Sequence, residues 1–225
     1  MIVRNNRERF CYGGKKEIWT VISNGLDLFP GCGIVCGNMT NYLFLDAEMG
    51  GRDIRYSLLT AYFVVTDAKF NALGDLYLAV KPDDGDYVVS GQGMGVNKIN
   101  LQEHDKIAML YKQAKSLLYN FLKKHSGNGP SPRLVPVGHG VRGDIEHIVD
   151  KFISQGSWEQ FCTYHYIDTS VFLQILRAQG KMPMDCDGSV IALTDYFGIK
   201  IEGEDHDCRV DTKKTMAVFQ KMLSL

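Results

Sequence analysis

The sequence predicts an α/β fold in which a central mixed β-sheet is flanked by helices. Residues 41 to 82 contain three successive strand patterns, and strand and helix patterns alternate from residue 103 onward. Strands followed by such an alternation are typical of layered α/β domains with a mixed sheet. The composition agrees, because 45% apolar, 23% charged and 11% aromatic residues are close to the averages for folded domains.

The first three elements are strands. Apolar runs bounded by turn residues form each of them: TNYLFLDAE, SLLTAYFVVTD and DLYLAVKP. A turn around Asn71 to Gly74 separates the second strand from the third. Three strands in succession predict a meander.

The apolar spacing changes to a helical period in the following segment. Apolar residues predict one helix over about 103 to 124, ended by Gly127 to Pro132. LVPVGHG then predicts a strand, and a helical stripe covers about 141 to 154. Further elements complete the alternation: a strand in CTYHYID and helices in DTSVFLQILRAQG, in Ser189 to Phe197 and from near Asp207 to the C-terminus.

Composition also excludes several classes of protein. No window approaches the roughly 18 apolar residues of a membrane span, and the charged start MIVRNNRERF lacks the apolar region of a signal peptide, so we expect a cytoplasmic protein. The six cysteines are scattered, which favours reduced thiols over disulfides or zinc. The net charge of -1 provides no global attraction to nucleic acid.

Two carboxylates end the first predicted strand. Residues two apart on a strand share a face, so Asp46 and Glu48 project together with Phe44, while Leu45 points to the opposite side. Unpaired burial of these acids would cost several kcal/mol each. Either cations neutralise them, or the strand ends in an exposed acidic turn.

Two later segments contain further candidates. Asp144 flanks the buried stripe of its predicted helix and therefore needs a partner, which could be a Lys or Arg as readily as a metal ion. His206 lies in an acidic loop before the last helix, and Asp211 lies in the first turns of that helix. The loop histidine could fold back over the same site, or it could simply be exposed at an acidic helix N-terminus.

In their order along the chain, these residues resemble the motifs of the DEDDh 3'-5' exonucleases. The matching motifs are the DxE in LDAEMGG, the aspartate in GHGVRGD and the HxxxxD in HDCRVD. The resemblance covers residues 41 to 224 and implies a three-layer ribonuclease-H-like fold for a domain over 41 to 225. Residues 1 to 40 form an N-terminal extension of unknown role. Gly140 and Gly143 depart from the family, which usually has Asn and a bulky apolar residue there.

The resemblance also implies a chemistry. Asp46, Glu48, Asp144 and Asp211 would hold two Mg²⁺ or Mn²⁺ ions, and His206 would take the proton from the attacking water. Met49, Gly50 and His139 would contact the substrate, the 3' end of single-stranded RNA or DNA, from which nucleoside 5'-monophosphates would be released. The alternatives are a catalytically inactive binding or interaction module with the same fold, or an accidental match. Inactive modules normally lose metal ligands, and none is missing here.

Overall fold

The computed structural model describes residues 41–126 and 133–225, which form a mixed six-stranded sheet with helices on both faces. The predicted extension over 1–40 and the predicted helix stop at Gly127 to Pro132 lie outside the described residues. Among the described cysteines, Cys162, Cys186 and Cys208 are free thiols.

The sheet has the order β4-β3-β2-β1-β5-β6. Its strands are β1 (Tyr42–Met49), β2 (Leu58–Thr66), β3 (Ala72–Lys81), β4 (Met109–Leu110), β5 (Val135–Gly138) and β6 (Ile167–Asp168). β2 is antiparallel to β1 and β3, whereas β5 runs parallel to β1 and β6 runs parallel to β5. The predicted meander and mixed sheet are therefore confirmed, and β1 lies inside the sheet.

Eight helices surround this sheet within the described residues. They are α1 (Gly91–Asn97), α2 (Leu101–Ile107), α3 (Tyr111–His125), α4 (Val141–Lys151), α5 (Gln155–Phe161), α6 (Thr169–Ala178), α7 (Val190–Tyr196) and α8 (Cys208–Leu223). In this part of the chain, none of them has both the length and the apolar character that crossing a bilayer requires.

The prediction of one continuous helix over 103 to 124 is wrong. α2 ends at Ile107, Ala108 is extended with ψ of 129°, and α3 begins at Tyr111. Met109 and Leu110 instead pair with the end of β3 as a short parallel strand. The break could not be predicted, because apolar residues keep helical spacing on both sides of it and the pairing of Met109 and Leu110 depends on β3, which is distant in sequence.

Two short helices were missed, and one predicted strand is shorter than expected. α1 has the glycine-rich sequence GQGMGVN, which carries no helical apolar stripe, and Ser90 caps it by accepting a hydrogen bond from the Gly93 N–H. Ser154 caps α5 in the same manner. Of CTYHYID, only Ile167–Asp168 forms a strand.

The alternation along β1 divides its side chains between two cores. Leu43, Leu45 and Ala47 pack in the core that contains residues of α3, α4 and α5. Phe44 packs on the other face against Phe219 of α8, with ring centroids 5.9 Å apart. Each fully buried Leu or Phe stabilises the fold by about 1.5 to 3 kcal/mol. A shift of the strand register by one residue would move the apolar side chains of β1 to the wrong faces of the sheet, so packing fixes the register and with it the position of Asp46 and Glu48 on the α8 face.

Candidate metal centre and active site

The end of β1 presents the first two acids. Asp46 pairs in register with Tyr62 of β2 and Glu48 pairs with Thr60, so both acids follow Phe44 on the same face. The register shifts between Glu48 and Met49, after which the chain turns away at Gly50. Both residues are half-buried at the end of a strand whose other residues are largely buried.

The turn between β5 and α4 brings Asp144 to this site. Gly138 permits a close approach, because a Cβ there would lie 2.6 Å from Val141 Cγ2 and 2.9 Å from the Leu45 carbonyl oxygen. Gly140 begins α4 with φ of 70°, a left-handed conformation that Gly adopts freely and Asn tolerates. Its N–H donates to Asp168 Oδ1 at 3.0 Å. Asp144 follows in the first turn of α4 and is 7% exposed.

The loop before α8 contributes the histidine. His206 has φ of 65°, and its backbone N–H donates to Asp211 Oδ2 at 3.1 Å. The side chain of Asp207 accepts from the Arg209 N–H and caps α8. Ligand atoms of Glu48, His206 and Asp211 all lie within 4.8 Å of one another. The backbone thus folds the loop back, so that a histidine five residues before Asp211 reaches the same group.

Electrostatics link all four acids. Burial, followed by the charges of Asp211 and Asp207, raises the pKa of Asp46 to about 8. Burial and the charge of Asp46 raise the pKa of Glu48 to about 9. The pKa of Asp144 is raised well above its ordinary value by burial and by the charges of Asp46 and Glu48. Burial also raises the pKa of Asp211. Asp46 and Asp144 lie outside the group formed by Glu48, His206 and Asp211, but the charges of acids in that group act on both of them.

Within the described residues, Asp46, Glu48 and Asp144 lack the cationic partners that buried carboxylates ordinarily have. Among the described residues, no Lys or Arg comes within 4.0 Å of the carboxylate oxygens of Asp46, Glu48 or Asp144. Lys214 lies 3.7 Å from Asp211 Oδ1, an atom that has no hydrogen-bond partner in this part of the chain. The salt bridge considered for Asp144 is therefore absent within the described residues. Such an arrangement favours binding of cations.

The three residues expected to contact substrate have different surroundings. Met49 packs partly against the core, and its carbonyl accepts from Asn97 Nδ2 at 2.9 Å. Gly50 is buried, with its N–H donating to the Ser57 carbonyl and its own carbonyl accepting from Ser90. His139 Nδ1 lies 2.8 Å from the Thr169 hydroxyl, and burial lowers the pKa of this histidine. Gly50 and His139 thus have structural partners already, and their role toward substrate stays a prediction.

Sequence reasoning missed a pocket beside Glu48. It has a volume of about 340 Å³, and Met49, Arg52, Tyr56, Gln92 and Asn97 are among the residues lining it. Because α1 and its N-cap Ser90 contribute five of the twelve lining residues, only prediction of α1 could have revealed the pocket.

Asp168 and Asp207 are two further acids that sequence reasoning did not assign to the site. Asp168 raises the pKa of Asp144, and Asp207 raises that of Asp46. The sequence marks both only as helix N-caps, so their proximity to the acids depends on the tertiary fold.

Comparisons with known proteins support the fold. No protein-family model matches the chain, and no curated protein matches it. The solved structures that it resembles include E. coli exonuclease I with a dT13 oligonucleotide (TM-score 0.65, 19% identity, 82% of this chain and 40% of that chain). A zinc-bound E. coli exonuclease I complex with single-stranded DNA has a TM-score of 0.67 at 20% identity, over 83% of this chain and 41% of that chain.

A product-bound exonuclease I structure gives a TM-score of 0.65 at 17% identity, over 83% of this chain and 44% of that chain. The chain thus spans less than half the length of these structures. Identities of this size establish the fold alone. The described part of the chain has the fold of exonuclease I, and the ribonuclease-H-like fold expected from the sequence motifs is confirmed.

Proposed function

We propose that residues 41–225 form a metal-dependent 3'-5' exonuclease domain that releases nucleoside 5'-monophosphates from the 3' end of single-stranded nucleic acid. One observation carries the proposal: acids from β1, α4 and α8 gather beside a histidine, and three of them, Asp46, Glu48 and Asp144, have no Lys or Arg within 4.0 Å among the described residues. The exonuclease fold supports it. The cytoplasmic location predicted from the sequence stays a prediction.

The acids suit divalent cations that prefer oxygen ligands. Carboxylates favour Mg²⁺ or Mn²⁺ over softer metals. Asp211 Oδ1 is buried without a hydrogen-bond partner among the described residues, so its lone pairs can serve as a ligand. Asp46, Glu48, Asp144 and Asp211 would hold two such ions. When bound, these ions would supply activation of the water nucleophile and stabilisation of the negative charge on the departing oxygen.

His206 would move the proton. Its ring reaches within 4.8 Å of ligand oxygens of Glu48 and Asp211, so a water beside these carboxylates also lies near the imidazole. Histidine is the side chain best suited to accept a proton at neutral pH. As the water transfers a proton to His206, its oxygen bonds to phosphorus and the bond from phosphorus to the 3' oxygen breaks. Solvent then protonates the leaving oxygen.

The pocket beside Glu48 would hold the terminal nucleotide. The residues lining it include Tyr56, Met49, Gln92 and Asn97. Aromatic faces bind bases by stacking without requiring one sequence. Two of the exonuclease I structures with this fold contain single-stranded DNA or a dT13 oligonucleotide. We therefore propose single-stranded RNA or DNA as the substrate class, with bound cations offsetting the net charge of -1.

A 5'-labelled single-stranded oligonucleotide tests the function. With Mg²⁺ or Mn²⁺, we expect a ladder that shortens from the 3' end and nucleoside 5'-monophosphate as the product. Excess chelator should stop the reaction, and renewed Mg²⁺ should restore it. Binding of the oligonucleotide without cleavage under all metal conditions would instead support the inactive module. Cleavage that is indifferent to chelator would contradict the metal mechanism.

A further inference from the structure

Lys214 is a buried lysine close to the proposed catalytic group. Its side chain is 8% exposed, and it is the only Lys or Arg among the described residues that is buried. It lies on α8, one turn after Asp211. A buried ammonium is costly unless ionic partners compensate for the lost water. The position of Lys214 therefore depends on the carboxylates that it meets.

Two carboxylates meet the Lys214 ammonium, and both belong to the segment around His206. Lys214 Nζ donates to Asp205 Oδ1 in a close ion pair, and it lies 3.7 Å from Asp211 Oδ1. Asp205 is the residue directly before His206, and the hydrogen bond from Lys214, followed by the charge of Lys214, lowers the pKa of Asp205. The lysine thus connects the loop that carries the histidine to the helix that carries Asp211.

The His206 loop needs such a connection. The backbone of His206 has φ of 65°, a conformation that is unfavourable for most residues other than glycine and persists only where the surroundings hold it. One restraint is the hydrogen bond from its N–H to Asp211 Oδ2. The Lys214–Asp205 pair is a second restraint, and it acts on the adjacent residue. Both restraints end on α8, so they fix the loop relative to the same helix.

We propose that Lys214 is a positioning residue that holds the His206 imidazole beside Glu48 and Asp211. This inference rests on the proposed role of His206, but the loop geometry itself can be measured without any reaction. The ammonium contacts Asp205 and Asp211 and does not contact the imidazole, so it acts through the backbone of the loop. Lys213 is an exposed neighbour on the same helix and provides a matched control.

Amide hydrogen exchange of the metal-free protein tests the restraint directly. In Lys214→Met and in Asp205→Asn, we expect the 200–208 segment to exchange about tenfold faster or more, because its local opening becomes easier. The rest of α8 should keep its protection, and Lys213→Met should behave like the unchanged protein. Asp205 is half exposed, so its variant keeps the test valid if Lys214→Met does not fold. Unchanged exchange of the His206 amide in folded variants would overturn the proposal.

Steady-state kinetics test the connection to His206. Lys214→Met should lower kcat by roughly 10- to 100-fold with little change in KM, since misplacing one catalytic group costs that much. Lys214→Arg should recover part of the loss. In a His206→Ala background, Lys214→Met should have almost no further effect, because the two residues act as one unit. Full additivity of the two losses would contradict the proposal. If no activity exists at all, the exchange result still stands on its own.

Discussion

Asp46 shows how burial and neighbouring charge act on a single residue. Its pKa is raised to about 8 because the carboxyl is buried and because Asp211 and Asp207 repel its ionised form. A group in this position destabilises the metal-free fold when it ionises. Destabilisation of this kind is typical of functional sites, because a bound cation makes the ionised carboxylate stabilising.

Replacement of Asp46 should separate activity from stability. We expect Asp46→Asn to lower cleavage by more than about a hundredfold, because a proposed metal ligand is lost. The same change should raise the Tm of the metal-free protein at pH 8, since it removes a repelled carboxylate. Asp195→Asn, at an exposed position, is the control for both measurements. An active variant, or one that is less stable than the unchanged protein, would refute this interpretation of the site.

His206 should contribute to the rate more than to metal binding. Loss of a general base typically costs about 10²- to 10⁴-fold, which is the decrease in kcat expected for His206→Ala. Calorimetric titration of the same variant with Mn²⁺ should give an affinity close to that of the unchanged protein. A large loss of affinity would make His206 a ligand, which its proximity to Glu48 and Asp211 would permit.

Residues that lie in motifs could be predicted, whereas those that only tertiary contacts bring together could not. Asp46 and Glu48 share a face because of strand alternation, which is a local rule. His206 and Asp211 required the resemblance, because five positions along a helix do not share a face and a left-handed loop residue brings them together. Lys214 carries no local signal, since its partner Asp205 is a loop residue outside the helical period.

At the scale of elements, the turn from β5 into α4 controls the position of Asp144. The absence of a Cβ at Gly138 lets α4 begin directly against β1, with the Leu45 carbonyl and the Val141 side chain as the close neighbours. Gly140 then supplies the left-handed start of the helix. The exonucleases that the sequence motifs resemble usually have Asn at this position, and Asn also tolerates this conformation.

Gly138→Ala should disturb this junction. The new Cβ would lie under 3.0 Å from Val141 and from the Leu45 backbone, so we expect a loss of about 1 to 3 kcal/mol in the free energy of unfolding, measured with urea. Asp144 should shift as well, and cleavage should fall. Gly143→Ala is the matched control, because its Cβ would meet nothing within 4 Å and Ala favours a helix over Gly by about 0.5 to 1 kcal/mol. Equal stabilities of the two variants would argue against a tight junction.

The elements themselves could be predicted to different degrees. β1 and β2 have strong apolar runs, and the structure places both close to their predicted ranges. The break between α2 and α3 could not be predicted, because the apolar spacing continues on both sides and the cause is the pairing of Met109 with Val80. α1 was missed because three of its seven residues are glycine, so only its Ser90 cap and its packing against β1 support a helix.

At the scale of the whole molecule, the acids should make stability depend on pH and on metal. The folded pKa values of Asp46 and Glu48, about 8 and 9, exceed their ordinary values of 3.8 and 4.5. The unfolded chain therefore releases these protons at lower pH than the folded protein does. Stability from these groups is fully present below about pH 4 and declines as the pH rises toward about 9.

Thermal unfolding at several pH values checks this linkage. With chelator present, we expect the Tm to fall from pH 5 to pH 8.5. Mg²⁺ should raise the Tm more at pH 8.5 than at pH 5, because it binds the ionised carboxylates and competes with protons. Asp46→Asn should show a smaller effect of both pH and Mg²⁺. A shift with Mg²⁺ that is equal at both pH values would indicate that the metal binds elsewhere.

The most direct measurement is anomalous diffraction from a crystal soaked with Mn²⁺. We expect two anomalous peaks within about 2.0 to 2.6 Å of carboxylate oxygens from Asp46, Glu48, Asp144 and Asp211. Neither peak should remain at full height in Asp46→Asn. Mn²⁺ bound only at other surface carboxylates, with no metal at these four acids at pH 8, would contradict a metal site formed by these acids.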